Sequence, residues 1–338
     1  MALISDIVIV GGGVLGLCVA VELTARGHEV VVLDPGRPNA SSIAAGMIAP
    51  AMESVLDHVT PARARLLREA AELWPAFAKQ TSIDLKPAYA VWLGDAPDAL
   101  AAAAHDLGFF AEVRSEAVLT EDRQVEPGPA LEALRRHAGR VLQRQAVSIA
   151  HSDHRWMIKT GVGAVVARTV VLATGAVVAF EGLPDPVRGL VEAIVPIRGQ
   201  IGRTDARIEG VLRGPGGYVA PMGNGAVIGA SMGTGRRDLA VDASEAETLL
   251  AVAERLTGQD LATRTVDWQV GIRGATTDGL PMAGPSGEPG LHLALAPRRN
   301  GWLLGPLIGQ VVADGIEGQP PTVQAETLDP RRFSRQAG

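Results

Sequence analysis

The sequence predicts an α/β protein in which a doubly wound, Rossmann-like domain is interleaved with a second domain. Three observations carry this reading. A strand, a glycine-rich turn, a helix and a second strand ending in an acid follow one another at the N-terminus. Strand-like runs that open into small residues return at about 164–175 and again at about 291–316. Between them lie stretches of different texture, with hairpin and amphipathic-helix patterns. Alternating strand and helix marks a parallel, helix-covered sheet, and its recurrence in separate stretches means that the chain leaves that domain and comes back.

Length and composition bound the answer. At roughly 150 residues per domain, 338 residues suggest about two domains. With 47% hydrophobic and 20% charged residues, the chain can bury a large core and is not a disordered tail. Lys plus Arg number 31 against 37 Asp plus Glu, a net charge of -6 without a basic block, so a nucleic-acid partner is not expected. Cys18 is the single cysteine. It rules out an intrachain disulfide and a cysteine-based metal cluster, and it suits a reducing, cytoplasmic setting. Residues 7–21 form an uncharged stretch shorter than the roughly 20 residues a membrane span needs, and Gly11, Gly12 and Gly13 interrupt it. No membrane span and no secretory signal is expected.

The elements follow in order. Ile7 to Val10 is a β-branched strand, Val14 to Arg26 a helix closed by Gly27, and Glu29 to Leu33 a strand closed by Asp34. Thr60 and Pro61 open a helix whose one face carries Leu66, Leu67, Ala70, Leu73, Trp74 and Phe77. Tyr89 to Leu93 reads as a strand, followed by an Ala-rich helix ended by Gly108, a stretch containing Pro127 and Pro129, and a helix at 131–137. Strands are expected at 156–159 and 164–172, the second running into Ala173-Thr174-Gly175. Tyr218 to Pro221 and Ala226 to Ser231 flank Gly223-Asn224-Gly225 as a hairpin. Ser244 and Glu247 form a capping box for the next helix. A Gly-rich segment at 268–284, a strand at 291–295 and a helix from about 301 to 316 complete the chain.

Gly11, Gly13 and Gly16 fit G-x-G-x-x-G between strand and helix, with Asp34 at the tip of the next strand. Each glycine answers a separate steric need. Gly11 allows the tight turn, Gly13 lets backbone approach a pyrophosphate, and Gly16 lets helix and strand pack closely. The helix N-terminus supplies N–H groups and positive dipole, and Asp34 would accept from the adenosine ribose. The pattern points to a dinucleotide and does not by itself separate FAD from NAD. Ser41 and Ser42 offer hydroxyls to phosphate, and Ala45 and Gly46 allow close contact with a flat ring.

Beyond these motifs, residues 9–16 (IVGGGVLG), Ala44-Ala45-Gly46-Met47-Ile48-Ala49-Pro50 with Glu53, Trp268-x-x-Gly271-x-Arg273-x-x-Thr276-x-Asp278-Gly279-x-Pro281 and Arg299-Asn300-Gly301 occur in one order along the chain. Together they resemble the FAD-dependent D-amino-acid oxidase superfamily, and within it the glycine oxidases of thiamine-thiazole biosynthesis. The resemblance implies FAD as cofactor, a doubly wound FAD domain (1–80, 138–190 and 265–338) and an α+β substrate domain built on an antiparallel sheet (81–137 and 191–264). It implies that Gly11, Gly13, Gly16 and Asp34 hold the ADP half, that Ser41, Ser42, Ala45, Gly46 and Met47 lie along pyrophosphate and flavin, and that Val147, Ala173, Thr174 and Gly175 contact the adenosine side. Gly301, Trp302 and Leu303 would face the flavin pyrimidine edge, where reduction places negative charge that a helix N-terminus stabilises. Arg273 would clamp a substrate carboxylate bidentately, Tyr218 would face the same carboxylate, and Arg299 would contact substrate or brace its loop.

The implied activity is oxidative deamination of a small amino acid or amine, with hydride passing from the α-carbon to flavin N5 and then to oxygen, yielding hydrogen peroxide. A dehydrogenase with a non-oxygen acceptor, a non-catalytic flavin-binding module and an NAD enzyme are the alternatives. A homo-oligomer is compatible with the sequence. Four departures from the glycine oxidase pattern concern the substrate side: a shortened 119–127 segment, Gly274 where proline is common, Met222 where an arginine often follows the strand, and Ala296-Pro297 where a histidine is usual. None of the seven histidines has metal or triad spacing, and no metal is expected.

Overall fold

The computed structural model describes residues 3–176 and 180–333. Residues 177–179 and 334–338, inside the ranges expected for the first domain, lie outside the described residues, as do the first two. The chain forms two compact units: 1–42, 131–197 and 272–338 make unit 1, and 43–130 and 198–271 make unit 2.

The first pass contains β1 (Leu3–Val10), α1 (Val14–Ala25), β2 (Val30–Asp34) and α2 (Ala40–Ile43). Unit 2 then begins with β3 (Met47–Ile48), α3 (Pro50–Leu56), α4 (Pro61–Thr81), β4 (Lys86–Trp92), α5 (Pro97–Asp106), β5 (Ala111–Arg114) and β6 (Ala117–Gln124). Helix α6 (Pro127–His137) leads back to β7 (Arg140–Gln143), β8 (Ala146–Ser152), β9 (Arg155–Thr160), β10 (Gly163–Leu172) and α7 (Asp185–Glu192). Next come β11 (Val195–Thr204), β12 (Val211–Gly214), β13 (Gly217–Met222), β14 (Gly225–Gly229), β15 (Gly233–Thr234), α8 (Ala243–Thr257) and β16 (Val266–Ala275). The last pass holds β17 (Met282–Pro285), β18 (Leu291–Leu295), α9 (Gly301–Ile316) and α10 (Val323–Leu328).

In unit 1 the strands run β17-β18-β10-β1-β2-β7, with β8 and β9 added beside β10. The pairs β18/β10, β10/β1, β1/β2 and β2/β7 are all parallel. Such a sheet is covered on both faces, which is why Val8, Ile9, Val31, Val32, Val170 and Val171 are all buried in succession. Register sets Val10 beside both Leu33 and Leu172, so β1, β2 and β10 end together and present Gly11, Asp34 and Ala173 side by side. The chain leaves β1 toward β2 on one side and β10 on the other, and such a switch point is where a doubly wound sheet opens a crevice for ligand.

Unit 2 is a mostly antiparallel sheet in the order β15-β11-β14-β13-β12-β4-β6-β3, with β16 on β11 and β5 on β6. One face packs Val219, Ala226 and Ile228 against Leu249, Ala253 and Leu256 of α8. The other packs Ala90, Val211, Ala220 and Val227 with Met52 and Ala45.

Four expectations are corrected in detail. The divide expected at 80/81 falls at 42/43, because α3 and α4 bury Ala51, Val55 and Ala64 against Ala101 and Ala104 of α5 and Val118 of β6. Likewise the later divides fall at 130/131, 197/198 and 271/272. Helix α8 is capped by Asp242, whose carboxylate accepts from the Ser244 and Glu245 N–H groups, two residues before the expected Ser244 cap. The Gly-rich segment at 268–284 is divided between the end of β16, which pairs with β11, and the start of β17, which belongs to the other sheet.

His292 of β18 is buried, and burial holds its pKa down to about 4 against an ordinary 6.5, partly opposed by a backbone hydrogen bond at Gly315. The folded protein therefore binds fewer protons than the unfolded chain between these pH values. This contribution is complete above pH 6.5 and is lost as pH falls toward 4. Between pH 7 and 4 the His292→Gln variant is expected to lose less stability than wild type, by up to about 3 kcal/mol, in urea titrations. Parallel wild-type and variant profiles would contradict this account.

Candidate active site

Unit 1 holds the nucleotide cradle. Gly11 has φ +118°, and a Cβ there would stand 2.2 Å from the Ala173 carbonyl oxygen. A Cβ on Gly16 would stand 2.0 Å from the Gly11 oxygen, so the turn, helix α1 and the end of β10 close on one another through backbone. At Gly13 an added Cβ meets only the Ser41 hydroxyl, at 3.2 Å, and at Gly175 it meets nothing within 4 Å. Gly13 is also the N-cap of α1 and lends no side chain to its N-terminus. Backbone that is sterically open at a helix N-terminus is what a pyrophosphate requires, so the residues fit the ADP half of FAD.

Hydrogen bonds behind the turn hold this cradle. The Ser41 Oγ accepts from the Val14 N–H at 3.0 Å, tying α2 to the opening turn of α1. Ser42 is engaged with Asn39, whose N–H it accepts at 3.0 Å and whose carbonyl it donates to at 2.9 Å. Asp34 is buried; its Oδ1 accepts from Gly36 N–H and its Oδ2 from the Arg135 guanidinium at 3.0 Å. Gly12 closes against this acid, since a Cβ there would fall 2.2 Å from Asp34 Oδ2. Sequence reasoning missed Gly12, although it stands inside the Gly-Gly-Gly run, and missed Arg135, which has no sequence signal. Val147 sits at an irregularity of β8, half exposed, with its carbonyl accepting from Glu181 N–H.

The start of α9 is fixed on the same unit. Added Cβ atoms on Gly305 and Gly309 would lie 2.8 Å from Cys18 Sγ and 2.9 Å from Cys18 O, so α1 and α9 approach through these glycines. The buried Cys18 thiol, its pKa pushed well up by burial, serves this packing. At the N-terminal end Trp302 Nε1 donates to the Ser41 carbonyl at 3.1 Å. Gly301, Trp302 and Leu303 thus form the first turn of a helix anchored to the same Ser41 that caps α1.

Arg273 and Arg299 are brought together from different elements. Gly274 O accepts from Arg298 N–H at 2.8 Å, and Ala275 pairs with Pro297, so the loop before α9 is pinned to the end of β16. Gly274 also faces Gly175 O at 3.5 Å and Ala296 Cα at 3.6 Å from the position of an added Cβ. The same position is 2.8 Å from Ile194 Cγ2, which explains glycine where proline is common.

Unit 2 carries the remaining residues. Gly46 has φ +68°, and a Cβ there would collide with Val125 O at 1.9 Å, so the Ala45–Met47 turn requires glycine. Gln124 Nε2 donates to Ala45 O at 3.0 Å, and Val125 N–H to Gly46 O at 3.0 Å. Tyr218, half-buried on β13, pairs with Gly229 of β14, over which its ring lies. Tyr218, Met47, Ala45 and Met222 belong to one cluster on one face of the sheet. The 119–127 segment, expected to be shortened, consists of the end of strand β6 running almost directly into α6.

A family model for FAD dependent oxidoreductases, DAO, matches residues 6–315. The chain belongs to this DAO family. It is an oxidoreductase that uses FAD. This DAO protein is 30% identical to the glycine oxidase of Geobacillus kaustophilus, over 92% of this chain and 93% of the relative. The crystal structure of that enzyme superposes with a TM-score of 0.83 at 26% identity, covering 98% of this chain and 99% of its own. The chain is 29% identical to the tRNA 5-methylaminomethyl-2-thiouridine biosynthesis bifunctional protein MnmC of a Caulobacter species, over 96% of itself and 57% of that longer protein. The D-proline dehydrogenase of Pyrobaculum islandicum is 26% identical over 97% of this chain and 99% of its own. Among the described residues, no helix of this DAO protein is long and apolar enough to cross a membrane, and no group of His, Cys, Asp and Glu could hold a metal.

Proposed function

We propose that this protein oxidises the amine of a small amino acid, as a glycine oxidase does, and passes the electrons to oxygen. The bound FAD supplies the two-electron acceptor. Gly11, Gly13 and Gly16 would admit the pyrophosphate at the N-terminus of α1 with Ser41 beside it, Asp34 would hold the ribose, and the first turn of α9 would face the pyrimidine edge of the flavin. The substrate carboxylate is taken by the Arg273 guanidinium and by the Tyr218 hydroxyl, with Arg299 adding positive charge on the neighbouring loop. This charge holds the α-carbon in place and favours binding as the free amine, so positioning rather than a general base carries the reaction. The imine product leaves to be hydrolysed by water to an oxo acid and ammonia.

One observation supports this reading above the others. The strand end bearing Arg273 and the loop bearing Arg299 are hydrogen-bonded to each other immediately before the turn that opens α9. The same loop thus joins a carboxylate-binding charge to the helix assigned to the flavin. The test is an anaerobic screen of glycine, sarcosine, D-amino acids and N-methyl amines against the purified flavoprotein. Bleaching of the flavin absorbance by at least one amino acid is expected, followed by rapid recovery on admitting oxygen. Bleaching by no amine would overturn the proposal; bleaching with very slow recovery in oxygen would make the protein a dehydrogenase.

A further inference from the structure

The unit 2 sheet face that carries Tyr218 and Met47 also buries a group of charged and polar side chains that the proposed reaction does not use. On β6 the residues turned to that face are Val118, Thr120, Asp122 and Gln124, all buried. Register places Thr120 beside Ala90, Asp122 beside Ala88, and Gln124 beside both Lys86 and Met47. On β12 the same face bears Arg213, opposite Tyr218 and beside Trp92. Directly opposite residues of paired strands share a face. The buried Arg213 donates to Glu53 of α3 at 3.0 Å and reaches Met47 Sδ at 3.3 Å.

Asp122 is 7% exposed, and neither of its carboxylate oxygens has a hydrogen-bond partner among the described residues. The Thr120 hydroxyl and Arg213 Nε, on the same face of the sheet, are also without one among the described residues. A buried carboxylate without a partner is costly as an anion. Here one guanidinium already serves Glu53, so ionised Asp122 would leave the cluster with a net negative charge. Burial pushes the Asp122 pKa up to about 7 from 3.8; Arg213 opposes this and Glu53 adds to it. Among the described residues, these are the charged groups acting on it. Of the other elements on this face, β3 brings Met47, β4 brings Ala88 and Ala90, and Lys86 turns its ammonium to Glu126 at 2.7 Å. On α5, His105 is bonded to Ala111 O.

The same cluster holds the segment assigned to the flavin: Gln124 binds the Ala45 carbonyl and Arg213 touches the Met47 thioether. We propose that Asp122 is the proton-exchanging member of a Glu53–Arg213–Asp122 cluster behind the Ala45–Met47 segment, and that it couples the redox potential of the bound flavin to pH. This rests on the assignment of that segment to the flavin. Two-electron reduction of the FAD, when bound, would add negative charge next to this segment. Asp122 answers by taking one proton from solvent, which neutralises its carboxylate. Reciprocally, ionised Asp122 disfavours the reduced cofactor and protonated Asp122 does not, as linkage requires.

The experiment is a reductive titration of the FAD-loaded protein with dithionite and mediator dyes from pH 5.5 to 9. No amine is used, so failure of amine oxidation would leave this test standing. The wild-type potential is expected to fall more steeply with pH over an interval that begins near 7, where Asp122 titrates. Asp122→Asn is expected to abolish the steeper interval. Glu53→Gln removes the carboxylate that raises the Asp122 pKa and is expected to move the interval to lower pH; it also decides the matter if the Asn variant fails to fold. Wild-type and Asp122→Asn curves of equal slope throughout, or an interval unmoved by Glu53→Gln, would overturn the proposal.

Discussion

Gly11→Ala is expected to yield a colourless protein that unfolds at markedly lower urea, whereas Gly13→Ala is expected to fold normally and bind FAD weakly. The two glycines lie two residues apart and their steric surroundings differ in kind. At Gly11 the backbone is at φ +118°, which a side chain rarely adopts, and the new methyl would overlap the Ala173 carbonyl at 2.2 Å. Neither β1 nor β10 can retreat, because they are registered from Leu3 to Val10 in the buried parallel sheet. Strain and overpacking together are expected to cost about 3–5 kcal/mol. At Gly13 the methyl would meet only a serine hydroxyl at 3.2 Å, so stability should change by less than about 1 kcal/mol. The methyl would instead occupy the approach of the pyrophosphate, and FAD should bind roughly 10- to 100-fold more weakly. Urea midpoints of the apoproteins and quenching of FAD fluorescence separate the two effects. Unchanged FAD affinity in Gly13→Ala would place the pyrophosphate elsewhere.

Arg273→Leu is expected to raise KM for the amino-acid substrate by about 10²- to 10³-fold, with FAD retained at the wild-type stoichiometry. A charge-assisted bidentate pair with a desolvated carboxylate contributes a few kcal/mol, and its loss leaves the carboxylate without a counter-ion. Arg273→Lys should recover only part of this, because an ammonium cannot reproduce the planar fork. Anaerobic flavin reduction at graded substrate concentration measures the effect directly. Release of FAD, with turnover per bound flavin unchanged, would show that Arg273 serves the cofactor instead of the substrate.

Contacts between residues close in sequence are legible in the chain, and contacts between distant residues are not. The β1–α1–β2 unit, with Gly27 ending the helix and Asp34 ending the strand, lies within 34 consecutive residues, and hydrophobic period and turn residues disclose such a unit. The Arg135 contact to Asp34 spans 101 positions and the Arg213 contact to Glu53 spans 160, and nothing in either neighbourhood announces them. Strand β6 is hidden for a different reason. Its inward residues include Thr120, Asp122 and Gln124 while Glu121 and Arg123 face outward, so the usual alternation of apolar-in and polar-out is lost where a buried polar cluster is built. Places where a local rule fails are where function is to be sought. Strand β16 is obscured by Gly271 and Gly274, the second of which is required by Ile194.

Local chemistry was enough for the class of fold, the nucleotide turn and the kinds of side chain available for an acid substrate, since spacing along a strand or helix already dictates which atoms share an end or a face. Tertiary contact alone decided that α3 and α4 belong with the second sheet, that Arg135 braces Asp34, that the Arg299 loop is tied to the Arg273 strand, and that Asp122 is buried without a hydrogen-bond partner among the described residues. These depend on burial and on partners far away in the chain, and the free energy of a charge or a close approach is set by the atoms around it in space.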